Sequence, residues 1–187
     1  MRRTRDPDGT RRRIIEAATA DFALYGIAGA RVDRIAAAAD VNKAQLYTYF
    51  GHKTGLFDAV FRQHADAMVA EAPFTPDDLP AYAVAIYDAA LERPDILRLL
   101  VWARLEGVDI PQDQSAVEEK IAAIAAQQAA GSLTKDISAE DILALVTSTA
   151  LTWSLAGMSP VPPTEKSSEH KRHRAALRQV VERSFAA

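Results

Sequence analysis

Val32-Asp-Arg-Ile-Ala-Ala-Ala-Ala-Asp-Val-Asn-Lys-Ala-Gln-Leu-Tyr-Thr-Tyr-Phe50, followed by Lys53, is the stretch that decides the fold. It contains two short helical patterns around a tight turn. Val32, Ile35, Ala36 and Ala39 form the apolar stripe of the first. Asp40 falls at the turn, since Asp tolerates the left-handed region better than most residues with a side chain. Asn42 then supplies an N-cap, with Gln45 at the capping-box position three residues on. On a helical wheel Leu46 and Phe50 lie within about 40° of one another and face inward. Ala44 and Thr48 point away, flanked by Tyr47 and Gln45, with Lys43 at the helix start. This outward face is small, amide, hydroxyl and phenol. A merely solvated hairpin accounts poorly for exposed Tyr47 and Tyr49; a helix-turn-helix, whose second helix enters the DNA major groove, accounts for them well.

Outward from this stretch nearly every segment has helical period, and none alternates over strand length. Upstream, Thr10 is placed to cap a first helix with the stripe Ile14, Ala18, Phe22 and Tyr25, stopped by Gly26 and Gly29. Downstream, a fourth helix over about 53–70 carries two stripes: Leu56 with Val60, and Phe57 with Phe61, His64 and Met68. A helix apolar on two sides lies between layers, which suits a connection between head and body. Beyond the break at Pro73, Pro76 and Pro80, helices are expected near 79–92, 94–106, 114–130, 138–156 and 165–185. Pro94 and Gly107 bound the second of these, and Ser159-Pro-Val-Pro-Pro163 separates the last two. The run Ile96-Leu-Arg-Leu-Leu-Val-Trp-Ala103 is apolar nearly all round, which places it in the middle of the body. The expected fold is all-α with about nine helices: a three-helix head over 1–52 and a larger helical body over 53–187.

Composition narrows the function. At 187 residues, 49% apolar and 25% charged, the chain can bury a sizeable core and is not of disordered type. The lack of cysteine removes disulfides and thiolate metal sites. No apolar run nears the roughly 20 residues of a membrane span. Met1-Arg-Arg-Thr-Arg-Asp-Pro-Asp8 lacks the apolar core of a signal peptide, so a cytoplasmic location is expected. The net charge of −3 is unevenly spread: residues 1–62 carry 11 Lys/Arg against 7 Asp/Glu, and residues 63–187 carry 11 against 18. A phosphate backbone would sit at the basic head.

The outward groups suit a groove. Gln45 can pair with an adenine edge and Lys43 with guanine O6 and N7, while the Ala44 and Thr48 methyls can touch thymine methyls. Tyrosine hydroxyls and Lys53 suit phosphates, which fix register without reading sequence. Residues 11–60 resemble the DNA-binding domain of the TetR family of bacterial transcriptional regulators. The residues that carry the resemblance are Ile14-Ile-Glu-Ala-Ala18, Phe22 with Tyr25-Gly26, Ile35-Ala36 with Val41, and Leu46-Tyr47-x-Tyr49-Phe50-x-x-Lys53-x-x-Leu56. The resemblance implies that Lys43, Ala44, Gln45 and Thr48 approach bases and that Tyr47, Tyr49 and Lys53 hold phosphates. Arg31 sits where the family often has a phosphate-contacting Thr. The chain departs from the family at Asp40, where a turn Gly is usual, and at Ala44, where a recognition-helix Gly is frequent.

The resemblance further implies a repressor without cofactor or metal, acting as a homodimer through its last two helices on an inverted-repeat operator. A small-molecule effector would bind in the body and be read out through the fourth helix. Thr147, Ser148, Thr149 and Ala150 agree with a dimer seam; the stripe Leu177, Val181, Phe185 suits an internal core as well. Candidate pocket residues are His64, Met68, Tyr82, Ile86, Trp102, Arg104, Glu106 and Trp153, most of which also fit plain core. Arg98, Arg104 and Glu106, in an apolar helix, need partners. An internal ion pair is favoured over an acidic ligand. His170 and His173 have the spacing of a metal pair beside Glu169. Their setting in His-Lys-Arg-His-Arg opposes a cation and reads as a solvated basic helix. No phosphate loop, nucleophile elbow or paired-carboxylate motif supports a helical enzyme. A helical protein-interaction module without DNA is the other alternative, and salt dependence of binding separates the two.

Overall fold

The computed structural model describes residues 6–110, 113–157, 159–160 and 166–187, without the side chains of 65–70. The described residues form nine helices: α1 Pro7–Gly29, α2 Val32–Ala38, α3 Lys43–Phe50, α4 Lys53–Glu71, α5 Leu79–Glu92, α6 Pro94–Glu106, α7 Gln114–Ala129, α8 Ala139–Ala150 and α9 Ser167–Phe185. Among these residues the sole strand-like feature is one antiparallel bridge between Leu133 and Ala186. The all-α expectation holds. No described helix is long and apolar enough to cross a membrane.

Local chemistry sets most boundaries. Asp6, not Thr10, caps α1: its carboxylate accepts from the Gly9 amide at 2.9 Å. Thr10 instead donates its hydroxyl to the Asp6 carbonyl at 2.9 Å. Pro at the first helical position already fits the helix and needs no donor. Asn42 caps α3 by accepting from the Gln45 amide at 2.7 Å, and Asp40 takes the left-handed turn at φ 54°. α8 stops at Ala150, short of the expected 156. There Ser154 turns its hydroxyl to the Leu151 carbonyl at 2.7 Å, and its oxygen accepts from the Ala156 amide at 3.2 Å. Such local bonds compete with the helical ladder. The proline break expected at 159–163 lies mostly outside the described residues.

By packing, the chain divides otherwise than at residue 52. One unit comprises Met1–Asp66 with Asp95–Pro111; the other comprises Ala67–Pro94 with Gln112–Ala187. The first unit's core takes Ile14, Ala18 and Phe22 from α1, Ile35 from α2, Leu46 from α3, Leu56, Phe57, Val60 and Phe61 from α4, and Leu99 and Ala103 from α6. Phe22 meets Phe57 edge-on at 5.5 Å. The apolar run of α6 therefore serves this unit and not the middle of the body. Nor does that helix hold an internal ion pair among the described residues: Arg98 and Arg104 are exposed. Periodicity shows which face of a helix is apolar, not which core receives it.

The second unit's core joins Leu79, Tyr82 and Ile86 of α5, Ile124 of α7, Ile142, Val146 and Ala150 of α8, and Val181 and Phe185 of α9. Leu177 is buried as well, so the Leu177, Val181, Phe185 stripe faces an internal core. The solvated-helix reading of the α9 histidines is corrected here. His173 is 3% exposed and stacks on Trp153 at 4.0 Å. Both His170 and His173 place Nδ1 on the Tyr87 hydroxyl, at 2.7 and 3.1 Å. A phenol has one proton, so it donates to one ring and accepts from the other, and that second imidazole must carry its proton on Nδ1. Lys171 and Arg172 stay exposed while the i, i+3 pair turns inward.

Burial holds the His173 pKa below the usual imidazole value, helped by Arg172 and His170 and opposed by Glu169. The Asp88–Arg174 ion pair joins α5 and α9 beside this group, with Arg174 also over the Tyr87 ring. The unfolded chain thus takes up a proton near pH 6.5 that the folded chain refuses. Stability of the second unit is expected to fall as pH drops from about 6.5 through the lower folded value. His173→Phe should flatten that dependence in urea unfolding at pH 7.5 and 5.5; identical slopes in both proteins would contradict it.

Candidate nucleic-acid interface

α2 and α3 are joined by a turn in which the Val41 amide donates to the Ala36 carbonyl at 3.0 Å and the Asp40 amide to Ala37 at 3.2 Å. Leu46 is fully buried and seats α3 on the first unit's core. Lys43, Ala44, Gln45, Tyr47 and Thr48 are exposed along the opposite face. Thr48 donates its hydroxyl to the Ala44 carbonyl at 2.9 Å, so outward it offers an oxygen lone pair and a methyl. Tyr49, expected to be exposed, is half-buried against the core beside Phe50. Arg11 lies over the Phe50 ring, 5.7 Å from its centroid.

Of the other predicted anchors, Lys53 already has internal partners for its side chain. Lys53 donates to the Ala28 and Ala30 carbonyls at 3.0 and 3.2 Å, tying the start of α4 to the chain leading into α2. One of its three N–H groups remains for a phosphate. Arg31 is exposed at the N-cap of α2. Its amide donates to Asp21 at 3.1 Å. Asp21 is buried and also pairs with Arg34, which lies 3.8 Å over the Tyr25 ring. This raises the Arg34 pKa further above its already high value, mainly through the Asp21 hydrogen bond. Sequence reasoning missed this Asp21–Arg34 latch between α1 and α2. The signal was available: Asp21 falls beside the apolar stripe of α1, where a carboxylate needs a cation or amide.

A second unforeseen feature sits at Gly26, where φ is 73° and ψ 175° inside α1. The Ile27 and Ala28 amides beyond the break donate to the two carboxylate oxygens of Glu106, at 3.1 and 2.7 Å. Trp102 Nε1 donates to the Ala23 carbonyl at 3.3 Å. α6 thus clamps the end of α1 just before the reading elements.

The eight pocket candidates do not gather in one unit. Trp102 and Glu106 hold the α1 break, and Arg104 is exposed. His64 Nε2 lies 2.9 Å from Thr19 Oγ1. That oxygen donates its proton to Ile15, so it accepts from Nε2–H. In the second unit, Tyr82 packs edge-on to Phe74 at 5.0 Å and its hydroxyl accepts from Lys120 at 3.2 Å. Ile86 is core and Trp153 stacks on His173. The Met68 side chain lies outside the described residues. An open cavity of about 250 Å³ in this unit is lined by Asp77, Leu79, Gln127, Leu133, Val181 and Phe185 among others, and by none of the candidates. Among the described residues no group of three His, Asp or Glu is arranged for a metal.

A capped helix, seated by Leu46 and turned from α2 at Asp40, with a polar outward face, defines a helix-turn-helix reader of duplex DNA. Residues 14–60 match the model for bacterial regulatory proteins of the tetR family. Residues 78–183 match the model for the tetracyclin repressor-like C-terminal domain. The chain is 38% identical over 156 residues to the HTH-type transcriptional repressor SCO4008 of Streptomyces coelicolor, covering 81% of each. It is 31% identical over 144 residues to the regulator RutR of Escherichia coli O157:H7, covering 71% of this chain and 68% of RutR. The crystal structure of SCO4942, described as a transcriptional regulator of Streptomyces coelicolor, superposes with a TM-score of 0.79 at 36% identity, covering 94% of this chain and 98% of that one. The chain belongs to the TetR family of bacterial transcriptional regulators and is not an enzyme.

Proposed function

We propose that this regulator is a repressor that binds an inverted-repeat operator as a homodimer in the cytoplasm and is released by a small molecule. The carrying observation is the seated, capped α3 with Lys43, Ala44, Gln45 and Thr48 outward. In this reading those four approach bases, while Arg31, Tyr47, Tyr49 and Lys53 face phosphates. Residues 1–52 read DNA, and residues 53–187 bind the effector and the second copy. The name of SCO4008, a repressor, supports the sign of regulation. Exposed Leu145 on α8 and Val180 on α9, with exposed Ala144 and Ser148, support a seam through the last two helices. Effector binding lowers operator affinity by no more than its preference for the released state.

Selection of bound sequences from random duplex DNA tests the reading. An inverted repeat with half-sites about one helical turn apart, or a multiple of it, is expected; its absence overturns the repressor role. On the selected site, Gln45→Ala should relax preference at particular bases, at a cost of about 1–3 kcal/mol. Lys53→Ala should instead weaken all duplexes about alike. Electrophoretic mobility shifts over a panel of single-base variants distinguish the two.

A further inference from the structure

Lys43, the first residue of α3, does not project alone. Its Nζ lies 3.0 Å from both carboxylate oxygens of Asp33, in the first turn of α2. The two side chains are 49% and 75% exposed, so burial does not force the pairing. Leu46 and the Asn42 cap already fix α3, which leaves little bracing for this pair to supply. Arg34, Lys53 and Arg13 are tied to Asp21, to Ala28 and Ala30, and to the Ala39 carbonyl. Asp33 differs from those partners: unlike the carbonyls and the buried Asp21, it is an exposed negative charge beside the face that meets a polyanion. Such a charge opposes every phosphate, whatever the sequence.

We propose that Asp33 is a specificity-determining residue, holding the Lys43 ammonium toward base edges and withholding it from phosphates. The inference rests on the DNA-reading role of α3 proposed above. An unrestrained lysine is a point charge on a flexible four-carbon stem and takes the nearest phosphate on any duplex. An ammonium held by a carboxylate keeps a donor for a guanine O6 or N7 but loses most of its value as a general counterion. Asp33 therefore weakens binding to arbitrary DNA more than binding to the operator. An acidic residue in a first helical turn also favours the helix dipole. That role alone would change thermal stability and leave the preference between duplexes unchanged.

The test compares wild type and Asp33→Asn on the selected operator duplex and on a random duplex, over a salt series. Asp33→Asn is expected to bind the random duplex about 3–10-fold tighter, with a steeper salt dependence, and to gain less on the operator. The operator-to-random ratio falls accordingly, and Asp33→Glu restores it. In a Lys43→Met background the loss of ratio caused by Asp33→Asn should shrink below about twofold. Equal changes on both duplexes overturn the proposal, as does a loss of ratio undiminished in the Lys43→Met background. If wild type selects no operator, the DNA-reading role fails and this inference falls with it. An operator bound with a ratio indifferent to Asp33 overturns this inference alone.

Discussion

Gly26→Ala is expected to lower the stability of the first unit by about 3–5 kcal/mol. At φ 73° and ψ 175° the backbone occupies a region open essentially to glycine alone, worth about 1–3 kcal/mol against any other residue. An added Cβ would also meet the Glu106 carboxylate and come within 2.9 Å of the Trp102 ring. Overpacking of that kind costs about 1–3 kcal/mol more. The ring is hemmed in, since its Nε1 is bonded to Ala23. A carboxylate pushed aside would leave the Ile27 and Ala28 amides without their partner. The two tryptophans allow a clean measurement: Trp102 is in the first unit and Trp153 in the second. Urea unfolding followed by Trp102 fluorescence in a Trp153→Phe background should show a lowered midpoint. An unchanged midpoint would mean that α6 does not close on α1 as described.

Phe22→Ala should cost a similar amount, about 3–5 kcal/mol, by a different route. Phe22 is fully buried and edge-on to Phe57, in the same core as Leu46 and Leu99. Removing the ring leaves a void among α1, α3, α4 and α6 that capped, mutually packed helices cannot readily collapse around. Operator affinity should fall with it, because Leu46 seats the reading helix on that core. The same fluorescence assay reports the loss, and Phe22→Leu should recover much of it. Equal stability of Phe22→Ala and wild type would contradict the packing of this core.

The reading helix was legible because its determinants are local. Asn42 caps three residues on, Asp40 accepts the left-handed turn, and Leu46 and Phe50 recur at helical spacing. The helix at 94–106 was equally plain from Pro94 at its start and Gly107 past its end. The Glu106 clamp was not legible. It joins amides to a carboxylate 78 and 79 positions away, and nothing local to Glu106 announces a backbone partner. His173 shows another limit. A basic stretch reads as solvated until the helix phase is set against the rest of the unit, and then His170 and His173, three apart, turn inward while Lys171 and Arg172 face out. Arg98 and Arg104 show the converse: charges within an apolar run simply point outward. The domain division at 52 followed roles, whereas packing follows volume, and α4 and α6 supply volume to the first unit.

That last arrangement bears on how regulators of this kind can be recombined. The first unit is discontinuous: its chain leaves after Asp66, returns at Asp95 for α6, and departs again after Pro111. A reader cut at residue 52 or 66 would lack Leu99, Ala103 and the Glu106 carboxylate that closes α1. The portable DNA-reading cassette therefore includes a helix that the linear sequence files with the sensor. A chimaera grafting this reader onto another sensor would have to import α6 along with the head. Inheritance of the reader then ties part of the sensor to it.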